Sequence, residues 1–384
     1  MISNSQTSHL DSIDSFLAME IFSRAQQLEA QGREVIHLEF GEPDFSAPES
    51  AAESIRKSME INDAGYTFSQ GLEGLRNEIA KKYLRDYGVD ILPEQVLVSN
   101  GSSLLLYLSV CLLAPPGSEV ILTDPAYACY ANAIRLAGAK PVFVKLHHED
   151  GFQLNVSELK KQVTKKTKAI LINSPMNPTG VVFSEEVMQS LAELDIPVIS
   201  DEIYADLSFE DQPHSFLSYS PQTVAINGFS KSFAMTGWRL GYMITPEEWM
   251  PAADRLHQNL MISATEFVQE AGAAVLQKST AYCEQMKAEF NRRRLFVLER
   301  MSELGMELGY TPTGAFYVLY KYRDSGKSSL DLCHEVLEKT GVAIAPGRDF
   351  GSAAEGYIRI SYAQSMENIE RALTKLAESK LLTS

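Results

Sequence analysis

Apolar residues recur along this chain with two different periods. Between Ser12 and Gln31 they fall at helical spacing (Ile13, Phe16, Leu17, Ile21, Phe22, Leu28) until Gly32 ends the run, which predicts an amphipathic helix. Val35 to Phe40 then alternates as a short strand does, and Gly41-Glu-Pro-Asp-Phe-Ser-Ala-Pro48 reads as a turn-rich loop. Two helices are predicted around 49–60 and 73–87. From Val96 onward short apolar runs alternate with helix-length stretches. The runs are Val96–Ser99, Val120–Thr123, Pro141–Leu146, Ala169–Asn173, Val198–Ser200 and Val224–Asn227, and the stretches are 102–113, 127–138, 155–163 and 185–194. That rhythm predicts an α/β fold with a mainly parallel, helix-covered sheet. One long helical region is expected from about 247 to 305. Beyond it, strand patterns at Ala315–Tyr322, Val342–Ala345 and Tyr357–Ser361, with helices near 328–340 and 365–380, describe a smaller α+β unit. The expected division is an N-terminal segment belonging partly to the small domain (1–45), a large domain (46–280) and a small C-terminal domain (281–384).

Charge narrows the partners. The chain has 384 residues, and 34 Lys and Arg against 50 Asp and Glu leave a formal charge of −16, unsuited to nucleic acid or an anionic membrane surface. A small anion in a locally basic pocket remains compatible with it. The cysteines (Cys111, Cys129, Cys283, Cys333) are scattered without a CxxC pair and read as reduced thiols. The start, MISNSQTSHLDSIDSF, has neither a basic region nor an apolar core, and the longest apolar stretch, Leu104–Ala114, is too short to span a bilayer. A cytoplasmic location is expected.

Several familiar chemistries fail on spacing. Gly326-Lys-Ser328 lacks the glycine a phosphate-binding P-loop needs five residues earlier, where Lys321 stands. No GxGxxG follows a predicted strand, which removes support for a nicotinamide dehydrogenase. No histidine falls in a metal-binding pattern, and His334-Glu-Val-Leu-Glu338 has glutamate where a second zinc histidine belongs.

The stretch that carries chemistry is Asn227-Gly-Phe-Ser-Lys-Ser-Phe-Ala-Met-Thr-Gly-Trp-Arg-Leu-Gly241. Lys231 lies between Phe229 and Phe233, where desolvation would favour the neutral amine that a Schiff-base nucleophile requires. A snorkelling lysine at a helix start is the plain alternative. The segment resembles the pyridoxal-phosphate attachment signature of class I/II aminotransferases, of fold type I. Gly228, Phe229, Ser230, Lys231, Ala234, Met235, Gly237, Arg239, Leu240 and Gly241 match position by position. Further motifs of that family occur in order: Gly41-Glu-Pro-Asp44, Tyr66 before Gly71-Leu-Glu-Gly-Leu-Arg76, Asp124-Pro-Ala-Tyr127, Asn177-Pro-Thr-Gly180, Ser200-Asp-Glu-Ile-Tyr204 and Tyr357-Ile-Arg-Ile-Ser361.

The resemblance implies a large domain that binds pyridoxal 5'-phosphate and an enzyme that moves an amino group from an L-amino acid to a 2-oxo acid by a ping-pong mechanism through an internal aldimine on Lys231. It implies that Asp201 partners the ring nitrogen and that Asn177 and Tyr204 bond the phenolic oxygen. Tyr127 would stack on the ring, and Ser230 would lie beside the lysine. Gly101, Ser102, Ser103 and Arg239 would hold the phosphate, a role also suited to a helix N-terminus after Val96–Ser99. Arg359 would bind the substrate carboxylate, with Gly41 close by, and Tyr66 would reach the neighbouring subunit's phosphate, so that a homodimer shares its active sites. Plain readings exist for several of these: a helix cap for Asp201, an Asn-Pro turn for Asn177, a core aromatic for Tyr127. A C–S β-lyase on the same scaffold is the alternative enzyme, and an aminotransferase-like sensor is a remoter one. The N-terminal helix, with Ile13, Phe16 and Leu17, is either a lid or simple packing.

Overall fold

A computed structural model describes residues 7, 10–61, 65–210, 214–323 and 326–382. Its strands are β1 (Ile36–His37), β2 (Val96–Ser99), β3 (Glu119–Asp124), β4 (Lys140–Lys145), β5 (Thr167–Asn173), β6 (Val198–Asp201), β7 (Thr223–Gly228), β8 (Gly241–Ile244), β9 (Tyr317–Lys321), β10 (Val342–Ala343), β11 (Ala345–Pro346) and β12 (Tyr357–Ser361). Seven of them form one sheet in the order β2-β8-β7-β6-β5-β3-β4. β4, β3, β5, β6 and β7 pair in parallel, and β8 runs antiparallel to both of its neighbours, β7 and β2.

The sheet is covered on both faces because its strands are apolar on both. In β5, Ile170 and Ile172 pack on one side with Met188 and Leu191, while Ala169 and Leu171 pack on the other with Leu105, Leu108 and Ile134. Crossover helices Ser102–Leu113, Cys129–Leu136, Val156–Gln162 and Glu185–Ala192 supply those partners. The parallel strands therefore end along one edge, where Asp124, Asn173, Asp201 and Gly228 are their last residues.

A second group of elements packs beside this sheet. β11, β12 and β9 form a three-stranded antiparallel sheet, and β1 pairs in parallel with β10. Helices Ser329–Thr340 and Met366–Glu378 share its core with Ile21, Ala25 and Leu28 of helix Leu17–Ala30. Residues from both ends of the chain thus build one apolar cluster.

Three expectations need correction. The N-terminal helix begins at Leu17, not near Ser12: the amides of Leu17 and Ala18 donate to the Asp349 carboxylate at 2.8 and 3.1 Å, so a residue far along the chain fixes its start. The region 247–305 is three helices, Met250–Met261, Glu266–Lys278 and Thr280–Glu303, interrupted at Ile262 (φ 67°) and at Ser279. The alternating stretch 35–40 contributes only Ile36–His37 as strand.

Candidate active site

The edge formed by the strand ends opens into a cavity of about 560 Å³. It is lined by Gly41, Ser102, Ser103, Tyr127, Asn177, Asp201, Tyr204, Ser230, Lys231, Arg239 and Arg359. Eleven of the thirteen positions singled out from the sequence therefore meet in one place. The other two are Gly101, which supports the wall from behind, and Tyr66, which lies on the surface with 84% of its area exposed.

Strand β7 ends at Gly228, and the next turn presents Lys231 half-buried at the cavity wall. Its ammonium donates to the Gly41 carbonyl at 2.5 Å. Burial holds the amine below its ordinary range, to about 8, and the cations of Arg359 and Arg239 act in the same direction against Glu42 and Asp201. A lysine poised this way is available as a neutral nucleophile near neutral pH.

Asp201 closes β6 and is buried. Tyr130 donates to it at 2.8 Å and the Ile203 amide at 3.1 Å. Burial nevertheless pushes the carboxyl up, to about 6. A cationic ring nitrogen beside it would restore the ionised form. Asn173 stands opposite Asp201 in the β5–β6 register. Its amide donates to the Asp201 carbonyl at 2.9 Å and its oxygen accepts the Asn177 amide at 2.8 Å, so one side chain fixes both the strand end and the following turn.

Arg359 is 2% exposed on β12, and among the described residues it has no acidic partner. It donates to the Asn177 side-chain oxygen at 3.0 Å and to the Glu39 carbonyl, and its guanidinium lies 4.6 Å from the Tyr317 ring centroid and 4.8 Å from that of Phe350. A buried guanidinium held between two rings without a counter-ion has the chemistry to receive a carboxylate. Tyr204 and Tyr317 join hydroxyls at 2.7 Å, and burial raises the Tyr204 phenol well above its usual range.

The opposite end is the N-terminus of helix Ser102–Leu113. Gly101 has φ +89°, and a Cβ there would stand 2.4 Å from an Arg239 terminal nitrogen. Gly241 is equally constrained: a Cβ would meet the Gly101 and Ser102 backbone at 2.7 Å. These two glycines allow β8, the helix start and Arg239 to converge. Arg239 bonds only the Thr236 carbonyl, at 3.1 Å, and carries no ion pair among the described residues. A guanidinium beside helix N-terminal amides has the chemistry to cradle an anion.

Sequence reasoning did not single out Tyr130, Asn173 or Tyr317. Asn173 gains its role from cross-strand register and Tyr130 from a helix that carries it over the end of β6, while Tyr317 read only as part of a strand. Gly41 has its reason here too, since a Cβ would lie 1.6 Å from the Tyr317 hydroxyl.

The ends of the parallel strands thus bring together an amine, a buried carboxylate, a helix N-terminus beside a guanidinium and a buried arginine without a counter-ion among the described residues. Residues 33–376 match the family model for aminotransferase class I and II, and the chain belongs to that family. It has the aspartate aminotransferase fold and is a transaminase, of a family whose members generally depend on pyridoxal phosphate. It is 40% identical over 370 residues to a (5-formylfuran-3-yl)methyl phosphate transaminase of Methanocaldococcus jannaschii, covering 95% of this chain and 96% of that one. It is 37% identical over 358 residues to an aspartate aminotransferase of Pyrococcus abyssi, covering 90% and 91%. A double mutant of Thermus thermophilus aspartate aminotransferase superposes with a TM-score of 0.92 at 34% identity, covering 98% of this chain and 100% of that one. Among the described residues no group of side chains could hold a metal ion, and no helix is long and apolar enough to cross a membrane.

Proposed function

We propose that this transaminase works with pyridoxal 5'-phosphate held on Lys231, in a cavity completed by a second copy of the chain. The observation that carries the reading is the convergence of Lys231, Asp201, Arg239 and Arg359 in one cavity. The donor set fits the group: Arg239, Ser102, Ser103 and the Gly101 turn suit the phosphate, Asp201 suits a protonated ring nitrogen, and Asn177 with Tyr204 suits a phenolic oxygen. Bound there, the cofactor supplies an aldehyde that accepts the amino group and a ring that withdraws electrons.

The chain's own residues do the rest. Arg359, with Asn177 fixed beside it, orients the substrate carboxylate. Lys231 would hold the cofactor through its amine and, once released, would take the proton from the substrate Cα as base and give it up as acid at the former aldehyde carbon. Its lowered basicity serves both directions near neutral pH. Tyr127 forms the ring-facing wall, meeting Phe16 edge-on at 6.3 Å between centroids. Phe16 immediately precedes helix Leu17–Ala30, which supports the reading of the N-terminal segment as a cover over the site.

Homodimerisation draws support from Tyr66 and Phe68, each 84% exposed, with Ile61 and Ile262 also exposed. The proposed division is a large cofactor domain (46–280) and a small domain built from 1–45 and 281–384. Four cysteines without disulfides suit a reducing compartment such as the cytoplasm.

Supplied with an amino donor and a 2-oxo acid, the wild-type protein should form a new amino acid, and Lys231→Ala should not. A variant that keeps the parent rate removes the assignment. Pyruvate and ammonia as products would make the protein a lyase.

A further inference from the structure

The cavity wall, taken group by group, says what kind of side chain the amino donor carries. We infer that the site takes a neutral, apolar or aromatic donor in preference to a dicarboxylic one. This rests on the reading of Lys231, Arg239 and Arg359 given above.

Among the described residues those three are the only lysines or arginines in the cavity wall, and each is assigned: the amine to the cofactor, one guanidinium to its phosphate, the other to the substrate's α-carboxylate. A second carboxylate on the donor would need a further cation. Residues outside the described set contain no Lys or Arg. Around exposed Tyr66, residues 65–75 and the segment 256–277 packed on them, joined where Gln269 donates to Thr67 at 3.1 Å and Ser69 meets His257 at 3.0 Å, contain no lysine or arginine.

Several polar side chains of the wall are also occupied within the chain. Asn132 donates to the Asp14 carbonyl at 2.9 Å and accepts its amide at 3.1 Å. Thr236 donates to the Ser230 carbonyl at 3.0 Å, and Tyr130 donates to Asp201. The one remaining acidic side chain, Glu42, has no ion pair among the described residues. Phe16, Phe40, Leu106 and Leu136 remain as unsatisfied surface. Such a wall gains from covering an apolar side chain, and a carboxylate brought against it loses hydration without a partner.

The test uses the holoenzyme and follows the cofactor's absorbance in the donor half-reaction. With L-phenylalanine or L-leucine, kcat/KM should exceed that with L-aspartate or L-glutamate at least about tenfold. Calorimetry should show 3-phenylpropanoate binding more tightly than succinate, again at least about tenfold. A smaller ratio in either measurement, or one favouring the dicarboxylates, overturns the inference while leaving the proposed function standing, because the cofactor still turns over. No absorbance change with any donor overturns the proposed function and this inference with it.

Discussion

At the scale of single residues, two adjacent carboxylates show how position assigns roles. Asp201 reaches the cavity, while Glu202 points away and is fully enclosed. The Phe216 amide donates to Glu202 at 2.8 Å, Ser200 and Ser215 each at 3.0 Å, and Tyr83 at 3.2 Å. Asp201→Asn should keep the fold, checked by circular dichroism, and lower kcat at least about a hundredfold, because the neutral amide no longer holds a cationic ring nitrogen. Glu202 should affect stability instead. Burial pushes it up to about 7, while unfolded it titrates near its ordinary value of about 4.3. Between those values the folded state holds a proton that the unfolded state has released, so its contribution to stability is full at low pH and is lost as pH rises toward 7. Glu202→Gln should flatten that part of the profile, by up to about 1.4 kcal/mol per pH unit in denaturant titrations of the two proteins. Equal pH slopes would contradict it. The motif Ser200-Asp-Glu-Ile-Tyr204 does not announce this role, because the four donors to Glu202 come from three separate segments.

Among the elements, those with a strong local signal were legible. β2 to β7 and their crossover helices lie within a few residues of the expected spans, since apolar runs bounded by turns need no distant information. β8 escaped notice because Gly241-Tyr-Met-Ile244 is short and follows the lysine motif directly, so its strand character comes from being clasped between β7 and β2. The breaks within 247–305 escaped because Ile262 takes a left-handed conformation that no glycine announces. The strand ends bring the site together, and the junction of β8 with the helix start at Ser102 is its tightest point. Gly101→Ala would place a methyl group against Arg239 in a backbone region that L-residues avoid. Its expected cost is about 1–2 kcal/mol of stability. Cofactor affinity, measured by fluorescence titration, should fall at least about tenfold, which is 1.4 kcal/mol. Unchanged affinity would show that the cradle tolerates the shift.

For the whole molecule, a charge of −16 coexists with a cavity suited to anions, because Lys231, Arg239 and Arg359 are gathered where strand ends and a helix N-terminus meet. Net charge governs long-range partners, and the local arrangement governs the ligand. Assembly is testable at the same scale. The purified chain should sediment as a dimer, and Phe68→Asp should yield monomers with little activity, since Phe68 shares the exposed face with Tyr66. Full activity in a monomer would contradict site sharing. The claim on which everything else depends is that Lys231 carries the cofactor. Borohydride reduction of the loaded protein, followed by mass spectrometry of its peptides, measures this directly. The cofactor's mass should appear on the peptide containing Lys231 and on no other; an adduct on a different lysine, or none, would contradict it.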